Sequence, residues 1–380
     1  MEKKKFFIQI LNFLGVLLFL YPAFNGITGL VKDPKLDGAV ELKKDTSFSL
    51  KGWWDGTWQE PKEEYLSEKF GCRNYFVRLH NEIDYRIFHK GHARNLVIGK
   101  EDLLYERDYI LTYFGKDFLG TDVITNNVNK IKEAQRILSE KGKTLIVVLA
   151  AGKGSFYPEY FPVEFDSMKR GPTNFEETSK LATDAGVNFI DFSVYFKNQK
   201  GNTPYLLYPK YGVHWSQYAM TLAADSLVRF IESKRFIKMQ HFKWSEIASK
   251  RAKDIDYDIG SGMNLLSYLN GPKMGYPKIF FEENKGEVKP SIVVIADSFY
   301  WGIFNMGFSN LFSKSHFWYY NNEVYPEHYK SPTYVNDLDL ASQLNDHDVF
   351  VLMATEHNIA GAGWGFVDAV INLENKNEVK

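Results

Sequence analysis

The stretch Ser291-Ile292-Val293-Val294-Ile295-Ala296-Asp297-Ser298-Phe299-Tyr300 decides how the rest of the chain is read. Its apolar residues from Ile292 to Ala296, mostly β-branched, fit a strand buried on both faces, as parallel strands are. The run stops at Asp297-Ser298, and an aromatic, amphipathic segment from Phe299 to Phe312 follows with the makings of a helix. Two readings of Ser298 are open at this point. Ser and Asp are favoured helix caps for hydrogen-bonding reasons alone. A serine at a strand-to-helix turn also stands at the carboxyl end of a sheet, beside free backbone N–H groups, where a nucleophile is well placed.

The neighbouring segments alternate between helix and strand. Asp122 to Leu138 carries Ile124, Val128, Ile131, Ala134 and Leu138 on one helical face, and Gly142 ends it. Thr144 to Ala150 reads as a buried strand, followed by a flexible loop, Ala151-Gly152-Lys153-Gly154-Ser155. The two glycines lack the spacing and the following Lys-Ser/Thr pair of a phosphate loop. A helix at Asn174 to Ala185, a strand at Val187 to Asp191 and a helix at Ser216 to Lys234 come next. Residues 240 to 290 read as irregular, with the acidic cluster Asp254-Ile255-Asp256-Tyr257-Asp258. Strands at Phe317 to Tyr320 and Val349 to Met353 close the pattern. This order predicts an α/β fold with a mostly parallel sheet covered on both faces.

The N-terminus has a different character. Lys3-Lys4-Lys5 precedes Phe6 to Phe24, an uncharged run long enough to span a bilayer core. Lysines before the span predict a cytoplasmic N-terminus, with the bulk of the chain outside the cytoplasm. No clear small-x-small cleavage site follows the run, so an uncleaved signal anchor is expected over a signal peptide. The predicted organisation is a cytoplasmic tip and anchor helix at 1–24, a stalk and helical segment at 25–90, and a catalytic domain at 91–375. Within the stalk, Trp53, Trp54 and Trp58 suit either stacking on sugar rings or pinning a loop. Glu63 to Phe88 reads as helix, with Phe76, Leu79, Ile83 and Ile87 at helical spacing, and 95–99 with 103–105 as two short strands.

Composition narrows the function classes. In a chain of 380 residues the net charge is -1, which gives no support for a nucleic-acid partner. The lone Cys72 excludes an intrachain disulfide framework. It and the scattered histidines show no recognisable zinc spacing, so neither a metal nor a cofactor is expected. An aromatic content of 16% fits a sugar-facing cleft as well as a large aromatic core.

The candidate base is His214, in Tyr211-Gly212-Val213-His214-Trp215-Ser216 just ahead of a predicted helix. The positive end of a helix dipole favours a neutral imidazole there. His357, in Glu356-His357-Asn358 after the last strand, reaches the same sheet edge and is a rival.

Several motifs in fixed order resemble one family. These are Phe70-Gly71-Cys72-Arg73-Asn74-Tyr75, Val97-Ile98-Gly99-Lys100 with Leu103-Leu104-Tyr105, Ala150 to Pro158, Val213-His214-Trp215 and Ala296-Asp297-Ser298-Phe299. From about residue 65 to 365 the chain resembles the alginate O-acetyltransferase family of AlgJ and AlgX-like proteins. The resemblance implies an SGNH-hydrolase-like α/β/α sandwich that O-acetylates an exported polysaccharide through an acetyl-serine intermediate. It implies Ser298 as nucleophile and His214 as base. It also implies an inner-membrane, single-pass protein with its domain in the periplasm or otherwise outside the cytoplasm, beside a multi-spanning membrane acyltransferase. The chain departs from the family's Asp-x-His-Trp motif, because Gly212 stands at the aspartate position, and Ala296 stands where glycine is usual. Three readings stay open: a carboxylate such as Asp254, Asp256 or Asp258 substitutes in space, a backbone carbonyl orients a Ser-His dyad, or the site is inactive and the protein is a glycan-binding scaffold. A carbohydrate acetylesterase of the same fold is the enzymatic alternative. Lys153 and Ser155 are candidates for an oxyanion or substrate loop.

Overall fold

The computed structural model describes residues 2–38, 43–282 and 286–378. Met1 and residues 39–42, which fall in the predicted tip and stalk, and residues 283–285 of the predicted catalytic domain lie outside the described residues. The chain divides into two compact units, residues 1–94 with 260–269, and residues 95–259 with 270–380.

The larger unit is built on parallel strands. Its described strands are β1 (Leu96–Ile98), β2 (Leu104–Glu106), β3 (Thr144–Ala150), β4 (Phe189–Asp191), β5 (Phe242–Ser249), β6 (Met274–Phe281), β7 (Ser291–Ala296), β8 (Lys314–Tyr319), β9 (Glu323–Tyr325) and β10 (Val349–Thr355). The central sheet runs β4-β3-β10-β7-β8-β9 and is parallel except for β9, which pairs antiparallel with β8 at one edge. Val349 lies opposite both Thr144 and Ile292, so β10 fills the middle and brings the carboxyl ends of β3, β10 and β7 side by side. All six residues of β7 are buried. Val293 and Ile295 join an apolar cluster with Ile124, Val128, Ile131, Phe366 and Val370, from helices Thr121–Glu140 and Phe366–Glu378. The alternating Ile292, Val294 and Ala296 point the other way and are equally buried. Each such side chain contributes about 1.5–3 kcal/mol when fully buried. On the second face Trp215 packs on Phe192, Phe196 and Phe299, which ties helices Phe192–Gln199, Gln217–Arg235 and Tyr300–Asn305 together.

Four expectations need correction. Residues 240–290 are not irregular throughout, because β5 and β6 form an antiparallel pair from Phe242↔Phe281 to Ser249↔Met274. Most of β5 is not buried, so its sequence lacks the apolar alternation that marks a strand, and its partner arrives a long way down the chain. The helix after Ser298 is short, Tyr300–Asn305, since Gly307 at φ 88° turns the chain into a separate 3₁₀ turn at Phe308–Leu311. The helical stretch before the domain is two helices, Gln59–Lys69 and Arg73–Phe88, broken where Cys72 adopts a left-handed φ of 63°. The loop after β3 is a buried helical turn, Lys153–Phe156, rather than a flexible segment.

In the smaller unit, helix Glu2–Thr28 contains a span, Lys5–Thr28, with a mean hydropathy of 1.9, long and apolar enough to cross a membrane. Phe6, Phe7, Leu11, Phe13 and Leu14 are exposed along it. Asn81 of helix Arg73–Phe88 donates to the Met263 carbonyl, and Arg78 donates to that of Leu265. These bonds hold residues 260–269 in this unit. The stripe Phe76, Leu79, Ile83 and Ile87 has helical spacing but stays exposed. Trp58 meets Phe48 edge-on and donates to the Thr46 carbonyl, pinning that loop, whereas Trp53 and Trp54 are exposed.

Candidate active site

The site is assembled at the carboxyl ends of β3, β10 and β7, where an open α/β sheet binds ligands. Ser298 lies two residues past the end of β7, after Asp297. The turn that presents it is fixed by buried Asp297, whose Oδ1 accepts from the Phe299 N–H at 3.1 Å. Asp297 Oδ2 accepts from the Thr355 N–H at 2.8 Å and from Asn358 Nδ2 at 3.0 Å. The aspartate beside the serine is thus a brace between β7 and β10. Ser298 itself is only half-buried.

His214 comes from the loop before helix Gln217–Arg235, a helix capped by Ser216 Oγ on the Ala219 N–H. Its Nε2 lies 3.1 Å from Ser298 Oγ, and its Nδ1 lies 2.5 Å from Asp258 Oδ2. The other carboxylate oxygen of Asp258 accepts from the N–H groups of Val213 at 2.9 Å and Ile259 at 2.6 Å. The imidazole ring rests against Phe299, with centroids 4.8 Å apart. Burial works against an imidazolium here. The hydrogen bond and charge of Asp258, with the more distant charges of Asp297 and Glu106, outweigh it and raise the pKa of His214 above its ordinary value.

Gly212 makes this arrangement sterically feasible. A Cβ at position 212 would lie 2.4 Å from the Ile255 carbonyl oxygen and 3.0 Å from the Asp256 carbonyl carbon. Those are backbone atoms with little room to give. The 254–258 segment therefore lies directly on the backbone of residue 212, which delivers Asp258 to the imidazole. An aspartate at 212 and this path for 254–258 exclude each other as the chain stands.

The other candidates have different surroundings. Asp256 is buried and accepts from the Gln217 N–H at 3.1 Å, and burial raises its carboxyl to about 7. Asp254 is exposed and accepts from Gln217 Nε2. Both serve the start of helix Gln217–Arg235, and only Asp258 of the three contacts His214. Lys153 is buried, with its ammonium donating to the carbonyls of Leu104 at 2.6 Å, Lys210 at 3.1 Å and Gly212 at 2.8 Å. Burial pulls its pKa down to about 7, opposed by the charge of Asp258. Its three N–H bonds are committed to backbone carbonyls, one in β2 and two in the His214 loop, which corrects its expected place in an oxyanion loop. Ser155 is corrected likewise. It is buried and donates to Glu356 Oε2 at 2.5 Å, and burial holds the Glu356 carboxyl up at about 7. Gly154 has a packing role, since a Cβ there would lie 2.5 Å from the Tyr109 carbonyl oxygen.

His357 turns to Thr112, with Nδ1 3.2 Å from its Oγ1 and 4.0 Å from Asp117. It is His214, then, that meets the serine. Glu106 was not a sequence candidate. It is half-buried at the end of β2, its carboxyl raised by burial and then by the charge of Asp258. Its sequence context, a strand end followed by Arg107, carries no signal of this.

A serine, an imidazole and a carboxylate in this order form a charge-aligned hydrogen-bonded chain, the geometry of nucleophilic acyl transfer. Residues 96–259 match the family model described as SGNH hydrolase-like domain, acetyltransferase AlgX. Over that segment the chain is similar to AlgX-type SGNH-hydrolase-like domains. The matched segment contains His214 and Asp258 and ends before Ser298. Among solved structures, the O-acetyltransferase domain of Pseudomonas putida AlgJ is similar, with a TM-score of 0.49 and 14% identity over 73% of this chain and 99% of that one. AlgX of Pseudomonas aeruginosa gives 0.46 and 15% over 72% and 67%, and PatB1 of Bacillus cereus 0.40 and 14% over 63% and 91%. No curated protein sequence matches the chain.

Proposed function

We propose that the AlgX-type domain is an O-acetyltransferase in which Ser298 is the nucleophile, His214 the general base and Asp258 the residue that orients and charges the imidazole. The observation that carries this reading is the use of both His214 nitrogens, one on Ser298 Oγ and the other on Asp258. With Nδ1–H held by the carboxylate, Nε2 is left as the lone-pair acceptor aimed at the serine. His214 takes the Ser298 proton as Oγ attacks the carbonyl carbon of an acetyl ester. The C–O bond to the donor alcohol then breaks, and His214 returns the proton to that alcohol. A sugar hydroxyl next loses its proton to His214, attacks the acetyl-serine and leaves as the O-acetyl sugar, restoring the Ser298 hydroxyl. We assign stabilisation of the tetrahedral oxyanion to the backbone N–H of Ser298 and its neighbours.

The acceptor in this reading is an exported polysaccharide, as the family relationship supports. The apolar N-terminal helix supports a single-pass inner-membrane anchor with the domain outside the cytoplasm. A multi-spanning acyltransferase as acetyl source belongs to the same proposal. The test is mass spectrometry of the protein after exposure to a soluble acetyl ester, with and without oligosaccharide. An acetyl adduct on Ser298 that is discharged onto sugar supports the transferase, whereas an adduct that yields only free acetate supports an acetylesterase. Neither adduct nor turnover, with glycan binding retained in Ser298→Ala, leaves the scaffold reading.

A further inference from the structure

A second group of ionisable side chains lies in the smaller unit, on and just after helix Arg73–Phe88. His80 and Asp84 are one helical turn apart, so both project from the same face. The helix ends at His89, which adopts a left-handed φ of 53°. The His89 N–H bonds to the Tyr85 carbonyl and the Lys90 N–H to the Asp84 carbonyl, which turns the chain back along the helix. That reversal brings His92 over the same face. Its Nε2 lies 2.7 Å from Asp84 Oδ2, while His80 Nε2 lies 3.8 Å from the same oxygen. The two imidazole rings are 5.4 Å apart by centroid, and one ligand atom from each of the three residues falls within 4.8 Å of the others.

We propose that His80, Asp84 and His92 form a binding site for a single divalent transition-metal ion of the zinc class. Two neutral imidazoles and a carboxylate are the borderline donor set that such ions prefer over magnesium or calcium, which select oxygen ligands. Bonds of about 2.0–2.1 Å in a tetrahedral site place ligand atoms on the order of 3.4 Å apart. The present separations straddle that value. His80 and His92 are exposed, so close packing does not oppose the small rotation required. Three protein ligands on the protein surface leave a coordination position for water. The His-x₃-Asp-x₇-His spacing is not a familiar zinc pattern, which is why the sequence shows no recognisable metal site. The αL turn at His89 makes the spacing work. Bound metal would staple the residues after the helix to its last two turns, a function separate from acyl transfer.

The experiment uses the full chain in detergent, stripped with a chelator and titrated with zinc chloride against a chromophoric chelator. The wild type is expected to take up about one more zinc per chain than Asp84→Asn, with magnesium failing to compete. His80→Ala and His92→Ala should each weaken that zinc at least tenfold. Zinc uptake that is absent at micromolar metal, or undiminished in all three variants, overturns the proposal. Cobalt(II) added to the unsubstituted chain gives a check independent of variant folding. Visible d–d absorption that excess zinc bleaches supports the site, and its absence overturns it.

Discussion

Two imidazole–carboxylate pairs in this protein have nearly the same contact and different contexts. His214 and Asp258 meet at 2.5 Å, and His92 and Asp84 at 2.7 Å. The His214 side chain is 17% exposed, and its second nitrogen faces the Ser298 hydroxyl. The His92 side chain is 45% exposed, and the carboxylate it touches has a second imidazole close by. The pair alone does not define a chemistry. The third group differs: in the reading proposed above, a hydroxyl makes the pair a base acting on a nucleophile, and another imidazole makes it a donor set. Burial then decides how strongly the two members influence each other, because a charge held out of water is screened less.

The buried pair is most sharply tested by Asp258→Asn. Turnover with an acetyl ester should fall by about four orders of magnitude, as when a dependent triad loses its acid. The wild-type rate should rise with pH through a limb above the ordinary histidine value of 6.5, because Asp258 favours the protonated imidazole that cannot act as base. In any residual activity of the variant that limb should move to lower pH, since burial remains and the carboxylate is gone. A profile that does not move would detach Asp258 from His214.

Gly212→Asp should lower activity rather than supply a missing acid. Overpacking of this kind costs about 1–3 kcal/mol, and displacement of His214 by an ångström costs on the order of a hundredfold in rate. Thermal unfolding and kcat together read both effects. Activity restored by Gly212→Asp in an Asp258→Asn background would break the argument from steric exclusion.

Lys153→Met removes the donor to three carbonyls, at about 1–3 kcal/mol for each left unpaired, and should cut the rate about tenfold by loosening the His214 loop. Urea unfolding as a function of pH checks its protonation. The lysine binds its proton more weakly when folded, at about 7, than at its ordinary value of 10.5 in the unfolded chain. Between those values the unfolded state holds the extra proton, so the lysine's contribution makes stability rise with pH. The methionine variant should lose that part of the rise.

At the exposed pair, Asp84→Asn should change acetyl-transfer kcat less than twofold while abolishing tight zinc uptake. A catalytic defect as large as that of Asp258→Asn would erase the distinction between the two pairs.

Legibility in the sequence followed the range of the interactions. The β7 stretch and helix Thr121–Glu140 were readable because burial on both faces, or on one stripe, imposes a local pattern of side chains. Ser298 and His214 stood out because each sits at a junction of elements. Lys153 and Ser155 were misplaced because a loop with two glycines reads as mobile, and close packing against the Tyr109 backbone leaves no mark in the residues themselves. β5 was missed because its sequence is polar and its pairing with β6 is distant in the chain.

By itself the sequence determined an apolar N-terminal span and an alternating α/β order, and it singled out Ser298 and His214 as candidates. Hydrophobic periodicity and turn chemistry are short-range and are written directly in the residues. Only the tertiary structure decided which of Asp254, Asp256 and Asp258 serves His214, because three acids in five residues are equivalent until a backbone path selects one. The absence of a side chain at Gly212 admits that path, and a gap of that kind acquires meaning only when another segment fills it.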